Sequence, residues 1–186
     1  MTEFQSFLAR AIPAIPADLK VLLRILQDED LDDGPRLEAA GAILYTLSAG
    51  DLVPDSIGVL GYVDDALVCR IALARAGEAA PRYRERYPKL YETLATDLAS
   101  AREFLGDDIF DFVGRAAVAR TDNDYKGKKA RDFLTDPEAS GWLADEASAE
   151  IAKLVFRKPD IERELKKVDT LVPRLKQKLD AARARG

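Results

Sequence analysis

The stretch Asp51-Leu52-Val53-Pro54-Asp55-Ser56-Ile57-Gly58-Val59-Leu60-Gly61-Tyr62-Val63-Asp64-Asp65 sets four carboxylates, a proline and two glycines between two strongly apolar segments. Upstream, Leu37, Ala40, Ile43, Leu44 and Leu47 repeat at helical spacing. Downstream, Val63, Ala66, Leu67, Ile71 and Ala74 do the same, widened by Cys69 and Leu73. A turn-rich insert flanked by two period-3.6 stripes reads as two helices joined by a structured connection. No part of the chain sustains a period-2 alternation, and the expectation is an all-α protein with no significant sheet.

Outward from that stretch the same period recurs. Phe4, Phe7, Leu8 and Ile12 mark a short first helix that Pro13 is expected to end, and Pro16 is expected to open a second reaching Gln27. Pro35 opens the helix before the central stretch, with Gly50 as its left-handed cap. Gly77 is expected to end the helix after it. Beyond residue 80 the helices become longer and more charged. Tyr83, Tyr87, Leu90, Tyr91, Leu94 and Leu98 share one face with a bend at Pro88, and Asp107 or Asp108 caps the next helix. Asp136-Pro137-Glu138 is a strong helix start. Ile161, Leu165, Val168, Val172, Leu175, Leu179 and Ala182 form a heptad-like seam that Pro173 should kink or split. The expected organisation is a compact helical module over 1–80 and a helical extension over 81–186 packed on it.

Composition removes several function classes. Apolar residues make up 47% and charged residues 33%, a folded rather than disordered balance. The most apolar run, Ile57 to Ala76, contains Asp64, Asp65 and Arg70, each costing about 2.5–3.5 kcal/mol at a bilayer centre, so it is no membrane span. The start Met1-Thr2-Glu3-Phe4 lacks a basic leader, and Cys69 is the single cysteine; both point to a cytoplasmic protein. With no histidine, Ser-His-Asp, Cys-His and His-ligated zinc sites are excluded. No phosphate-cradling glycine loop is present. The acidic loops at Asp28 and Asp122 fail the register of a calcium-binding hand, which would need glutamate at Ala39 and at Phe133. Arg82, Arg84, Arg86 and Lys89 interleave with tyrosines, yet tyrosines four apart on a helix make a core stripe, and the net charge is −5, which argues against nucleic acid.

Charge is unevenly spread. From Arg157 onward ten basic residues face five acidic ones, a net of +5, which leaves −10 on the preceding residues. Arg163, Lys166, Lys167, Arg174, Lys176 and Lys178 are therefore candidate contacts to a partner protein or an anionic surface. Either the tail folds back on the acidic body or it engages such a partner.

Tyr45-Thr46-Leu47-Ser48 followed by Asp51-Leu52-Val53-Pro54-Asp55 and Val59-Leu60-Gly61-Tyr62-Val63-Asp64-Asp65 resembles the YkvA-like family of small helical domains of unknown function. The resemblance covers roughly Ile43 to Val68 and departs at Ala49 and Gly58, where the family usually carries proline. It implies a helix, a proline turn and a second helix. Because the module also occurs beside other domains, including a RING-type ubiquitin ligase of the endoplasmic reticulum, it also implies an interaction module rather than an enzyme.

The carboxylates of the stretch admit two readings. As fold punctuation, Asp51 and Asp55 take backbone N–H groups, Asp64 and Asp65 favour a helix N-terminus by about 0.3–1 kcal/mol each, and Pro54, Gly58, Gly61 and Tyr62 shape the turn. As a cation cage, Asp51, Asp55, Asp64 and Asp65 converge on Mg²⁺ or Ca²⁺ for hydrolytic or phosphoryl chemistry, with Arg36 and Arg70 available as pairing partners. No other cofactor is expected. The leading functional expectation is a non-enzymatic interaction or scaffold protein; the alternatives are the cation site and peripheral binding to an anionic membrane through the basic tail.

Overall fold

A computed structural model describes residues 1–48 and 52–185, and of Asp55 and Ser56 the backbone alone. Helix α1 (Glu3–Leu26) is the rod on which the rest is assembled, about 36 Å long at 1.5 Å per residue. Thr2 starts it with a reciprocal cap: its hydroxyl accepts from Gln5 N–H, and its own N–H donates to the Gln5 side chain at 2.9 Å. The expected break at Pro13 does not occur; Pro13 and Pro16 both lie inside this one helix. The reason is tertiary. Phe7, Leu8, Ile12, Ile15, Leu19 and Leu22 are all fully buried on one continuous stripe, and that burial outweighs the backbone bonds the two prolines cannot make.

Helix α2 (Asp33–Leu47) and helix α3 (Val63–Ala79) lie against α1 and against each other. Between α2 and α3 comes a 3-10 segment, Asp55–Tyr62, broken at Gly58, whose φ of 77° belongs to the left-handed region that glycine tolerates. Gly50, the expected cap of α2, lies outside the described residues. Gly77 does not end α3 but sits within it. Its missing side chain admits the ring of Tyr91, whose Cε1 would lie 2.4 Å from an added Cβ and whose hydroxyl donates to Leu73 O at 2.7 Å.

The second half wraps this three-helix centre. Helices α4 (Arg82–Arg86) and α5 (Pro88–Leu105) are separated at Tyr87, and Pro88 occupies the first position of α5, where its lack of an N–H is harmless. Helix α6 (Asp107–Gly114) is capped by Gly106 at φ 79° and not by an aspartate side chain; Asp107 instead pairs with Arg102 at 2.6 Å. Helix α7 (Ala116–Arg120) lies close on α2, made possible by Gly41. Two further helices, α8 (Asp132–Thr135) and α9 (Pro137–Ile151), follow, the latter started by Asp136 accepting from Glu138 N–H at 2.9 Å.

The tail seam forms, but it divides earlier than Pro173. Helix α10 (Lys158–Leu165) ends before a short 3-10 turn at Val168–Thr170, and α11 (Leu171–Arg183) holds Pro173 in its first turn. Ile161, Leu165, Val168, Leu175 and Leu179 are buried, but Leu171 takes the buried position expected of Val172, which is half-buried, and Ala182 is exposed. α10 packs on α1 and the 3-10 segment, while α11 packs on α6. Gln5 of α1 donates to Leu165 O at 3.0 Å, and Arg183 pairs with Asp108 at 3.1 Å. One apolar core thus runs from Phe4 to Leu179. Among the described residues there is no sheet, only an isolated bridge between Tyr125 and Lys128.

Candidate functional site

The conspicuous stretch closes around one carboxylate. Asp64, in the first turn of α3, is fully buried, and its Oδ2 accepts from the Tyr45 hydroxyl at 2.6 Å and from Val53 N–H at 2.9 Å. The Tyr45 oxygen in turn accepts from Leu52 N–H at 2.8 Å. Three chain segments, the end of α2, the incoming turn and the start of α3, are thereby tied at a single point. Burial, and then the adjacent Asp64 charge, push the Tyr45 phenol far above its ordinary range, so it acts here as a donor and not as an acid. Arg120 of α7 lies over the Tyr45 ring at 5.4 Å from its centroid.

The other expected residues sit around this knot. Asp65 is buried beside Asp64. Asp51 lies outside the described residues, as does the side chain of Asp55. Among the described residues no group of three or more carboxylate or thiol side chains is placed to hold a metal ion. Pro54 and Gly58 are exposed, Gly61 is buried, and Tyr62 meets Phe156 edge to face at 5.1 Å. Arg36 and Arg70, expected near the acidic stretch, are used elsewhere. Arg36 donates to Leu26 O and Leu134 O, and Arg70 pairs with Asp18 at 2.7 Å. Cys69 is buried with its thiol pushed up by that burial, as a core residue should be.

The tyrosines of the second half are likewise structural. Tyr83 donates to Asp28 Oδ2 at 2.6 Å, alongside Arg82 at 2.6 Å, and these contacts hold the Asp28 carboxyl below its usual range, the tyrosine hydrogen bond most. At the basic turn, Lys126 pairs with Glu146, and Lys126 and Lys128 both lie over Trp142 at just under 6 Å.

Arg163, Lys166, Lys167, Arg174, Lys176 and Lys178 are all exposed. Arg163 and Lys167 are engaged within α10 by Asp160 and Glu164. Among the described residues, Lys166, Arg174, Lys176 and Lys178 have no carboxylate partner. No spacing pattern announces the buried Asp18–Arg70 pair, whose members are 52 positions apart on α1 and α3. The only local signal was an aspartate on a helix otherwise apolar nearly all round.

Comparison with protein families places residues 36–70 under a model described as a protein of unknown function, DUF1232. That interval holds most of α2, the turn and the first half of α3, including Tyr45, Asp64 and Arg70, and it agrees with the resemblance carried by the motif. No curated protein and no solved structure matches the chain. No helix among the described residues is long and apolar enough to cross a membrane.

Proposed function

We propose that the protein is a non-enzymatic cytoplasmic interaction module that binds an acidic surface of another protein through its basic C-terminal helices. The observation that supports this reading is the division of labour on α11. Leu171, Leu175 and Leu179 are turned into the body, whereas Arg174, Lys176 and Lys178 are exposed without carboxylate partners among the described residues. Lys166, just after α10, is likewise exposed without a carboxylate partner among the described residues. A net-acidic protein that keeps these cations unpaired on its outside presents a patch of opposite sign to the rest of its surface, and such a patch steers and orients an acidic partner.

The same geometry favours a protein over a membrane. A helix lying in a lipid interface needs an apolar face to bury in the acyl boundary, and α11 has already spent its apolar face on the core. Electrostatic attraction alone remains, and salt screens it over about 8 Å at physiological ionic strength.

Affinity capture from native lysate with the wild type and with R174E/K176E/K178E, together with co-sedimentation on phosphatidylserine vesicles, tests the proposal. The expected result is a set of captured proteins lost in the charge-reversed variant, with no vesicle binding at physiological salt. The same captured set with both proteins, or vesicle binding that the reversal abolishes, overturns it.

A further inference from the structure

A cleft of about 580 Å³ lies between α1 and the first turns of α5, away from both the Asp64 knot and the basic tail. Its α1 wall is made of small residues, Ala11, Ala14 and Ala17, with Val21 beyond; Tyr87 and Leu90 form the opposite side. The accessible lining is predominantly apolar, and the volume is that of a site for a small organic molecule.

The charges in this cleft are not arranged as surface charges are. Asp18 and Arg70 are 2% and 8% exposed and are joined through a single bond, Arg70 Nε to Asp18 Oδ2 at 2.7 Å. Neither terminal amino group of Arg70 has a hydrogen-bond partner among the described residues, and Arg70 lines the cleft. An arginine presents those two nitrogens as a flat fork that matches the two oxygens of a carboxylate. Asp97, also buried, is already taken by Arg10 at 2.5 Å and by Thr93 at 2.8 Å. The charged side chains lining the cleft are Arg10, Arg70, Arg86 and Lys89 against Asp18 and Asp97, an excess of two positive charges on a net-acidic protein.

We infer that this cleft is a binding site for an amphipathic monocarboxylate, with the carboxylate on the Arg70 fork and the apolar chain between the α1 alanines and Leu90. Arg86 and Lys89, both exposed at the mouth, draw the anion in. The partners of an apolar chain are already in place, because Ala14 and Ala17 leave a channel that larger side chains would fill. A cationic amphiphile meets the wrong sign, and a neutral one leaves the fork unsatisfied, which costs discrimination at a buried polar group.

Calorimetric titration of the full chain with decanoate, decylammonium and decanol tests the site. Saturable one-to-one binding of decanoate is expected, weakened at least about tenfold by A14F, which fills the channel without touching the ion pair, and at least about fivefold by R70K, which keeps the charge and loses the fork. Thermal melting of A14F within error of the wild type shows that the loss is not unfolding. Decylammonium or decanol binding as tightly as decanoate, decanoate binding that A14F leaves unchanged, or no saturable decanoate binding at millimolar concentration overturns the assignment.

Discussion

Replacing Tyr45 with phenylalanine removes one oxygen from the knot and nothing else. The ring keeps its place, so no cavity opens, and the whole effect comes from the hydroxyl. That hydroxyl donates to the carboxylate of the fully buried Asp64 at 2.6 Å and accepts from Leu52 N–H at 2.8 Å. A hydrogen bond to a charged group contributes about 1.5–3 kcal/mol, and a buried acceptor that loses a donor forfeits its compensation for desolvation. The Leu52 amide is only half-buried and can turn to water, so its loss adds little. The expected destabilisation is about 2–3 kcal/mol, which for a chain of this size lowers the melting temperature by roughly 5–10 °C. Urea unfolding followed by circular dichroism measures it. A double-mutant cycle with Asp64→Asn then isolates the pair, with an expected coupling of at least about 1 kcal/mol. A Tyr45→Phe change below about 0.5 kcal/mol, or a coupling indistinguishable from zero, would refute the view that Asp64 is the fold's fastening point.

Two glycines on α2 should respond in opposite directions. At Gly41 a Cβ would lie 2.1 Å from the backbone oxygen of Ala117, so α7 must move, and the overpacking cost of about 1–3 kcal/mol exceeds the gain of about 1 kcal/mol in helix propensity. At Gly34 an added Cβ meets nothing within 4 Å, so Gly34→Ala should stabilise by up to about 1 kcal/mol; denaturant midpoints of the two variants decide the signs. Asp18 carries a pH dependence. Burial raises its carboxyl from 3.8 to about 6 against the lowering effect of Arg70, so the folded chain holds this proton more tightly than the unfolded chain does. The contribution is fully present below about pH 4 and is lost as the pH rises through about 6. Unfolding curves of wild type and Asp18→Asn from pH 4 to 7 should therefore differ in slope, the wild type losing relative stability across that window; parallel curves would show that Asp18 does not titrate there.

The all-α class was open to reading because helical periodicity is a local property, and α2, α3, α5 and α9 each carry their stripe within their own residues. Breaks were less readable, since a proline or glycine states only a local cost. Pro13 and Pro16 stay inside α1 because the core pays that cost through Ile12 and Ile15, and Gly77 stays inside α3 because Tyr91, fourteen positions away in sequence, needs its space. Pro173 fits the first turn of α11 and so breaks nothing. The candidate site divides in the same way. That Asp64 starts a helix was visible from the residues around it. That it fastens Tyr45 from the preceding helix was not, because a contact across 19 positions leaves no spacing pattern. The Asp18–Arg70 pair is hidden for the same reason, because the acids nearest to Arg70 in sequence are Asp65 and Asp64 and not Asp18.

Two of the buried aspartates, Asp64 and Asp18, differ in what the fold asks of them. Asp64 fastens three segments through a phenol and a backbone amide, work that no apolar side chain could do in its place. Asp18 has one bond from Arg70, on a helix whose neighbouring positions are packed with leucine, valine and isoleucine. A buried ion pair seldom stabilises more than well-packed apolar residues of the same volume, because desolvating two charges costs as much as their attraction returns. The raised carboxyl of Asp18 is that cost made visible: desolvation is the larger influence and Arg70 only offsets part of it. Stability alone therefore does not account for keeping a charged pair at this point of the core. A ligand does, because the pair holds Arg70 at the wall of an apolar cleft with its fork still unspent. Replacing both residues together separates the two accounts. Asp18→Leu/Arg70→Met should leave stability within about 1–2 kcal/mol of the wild type or raise it, while abolishing decanoate binding. A double variant that unfolds would mean that the pair serves the fold in the way Asp64 does.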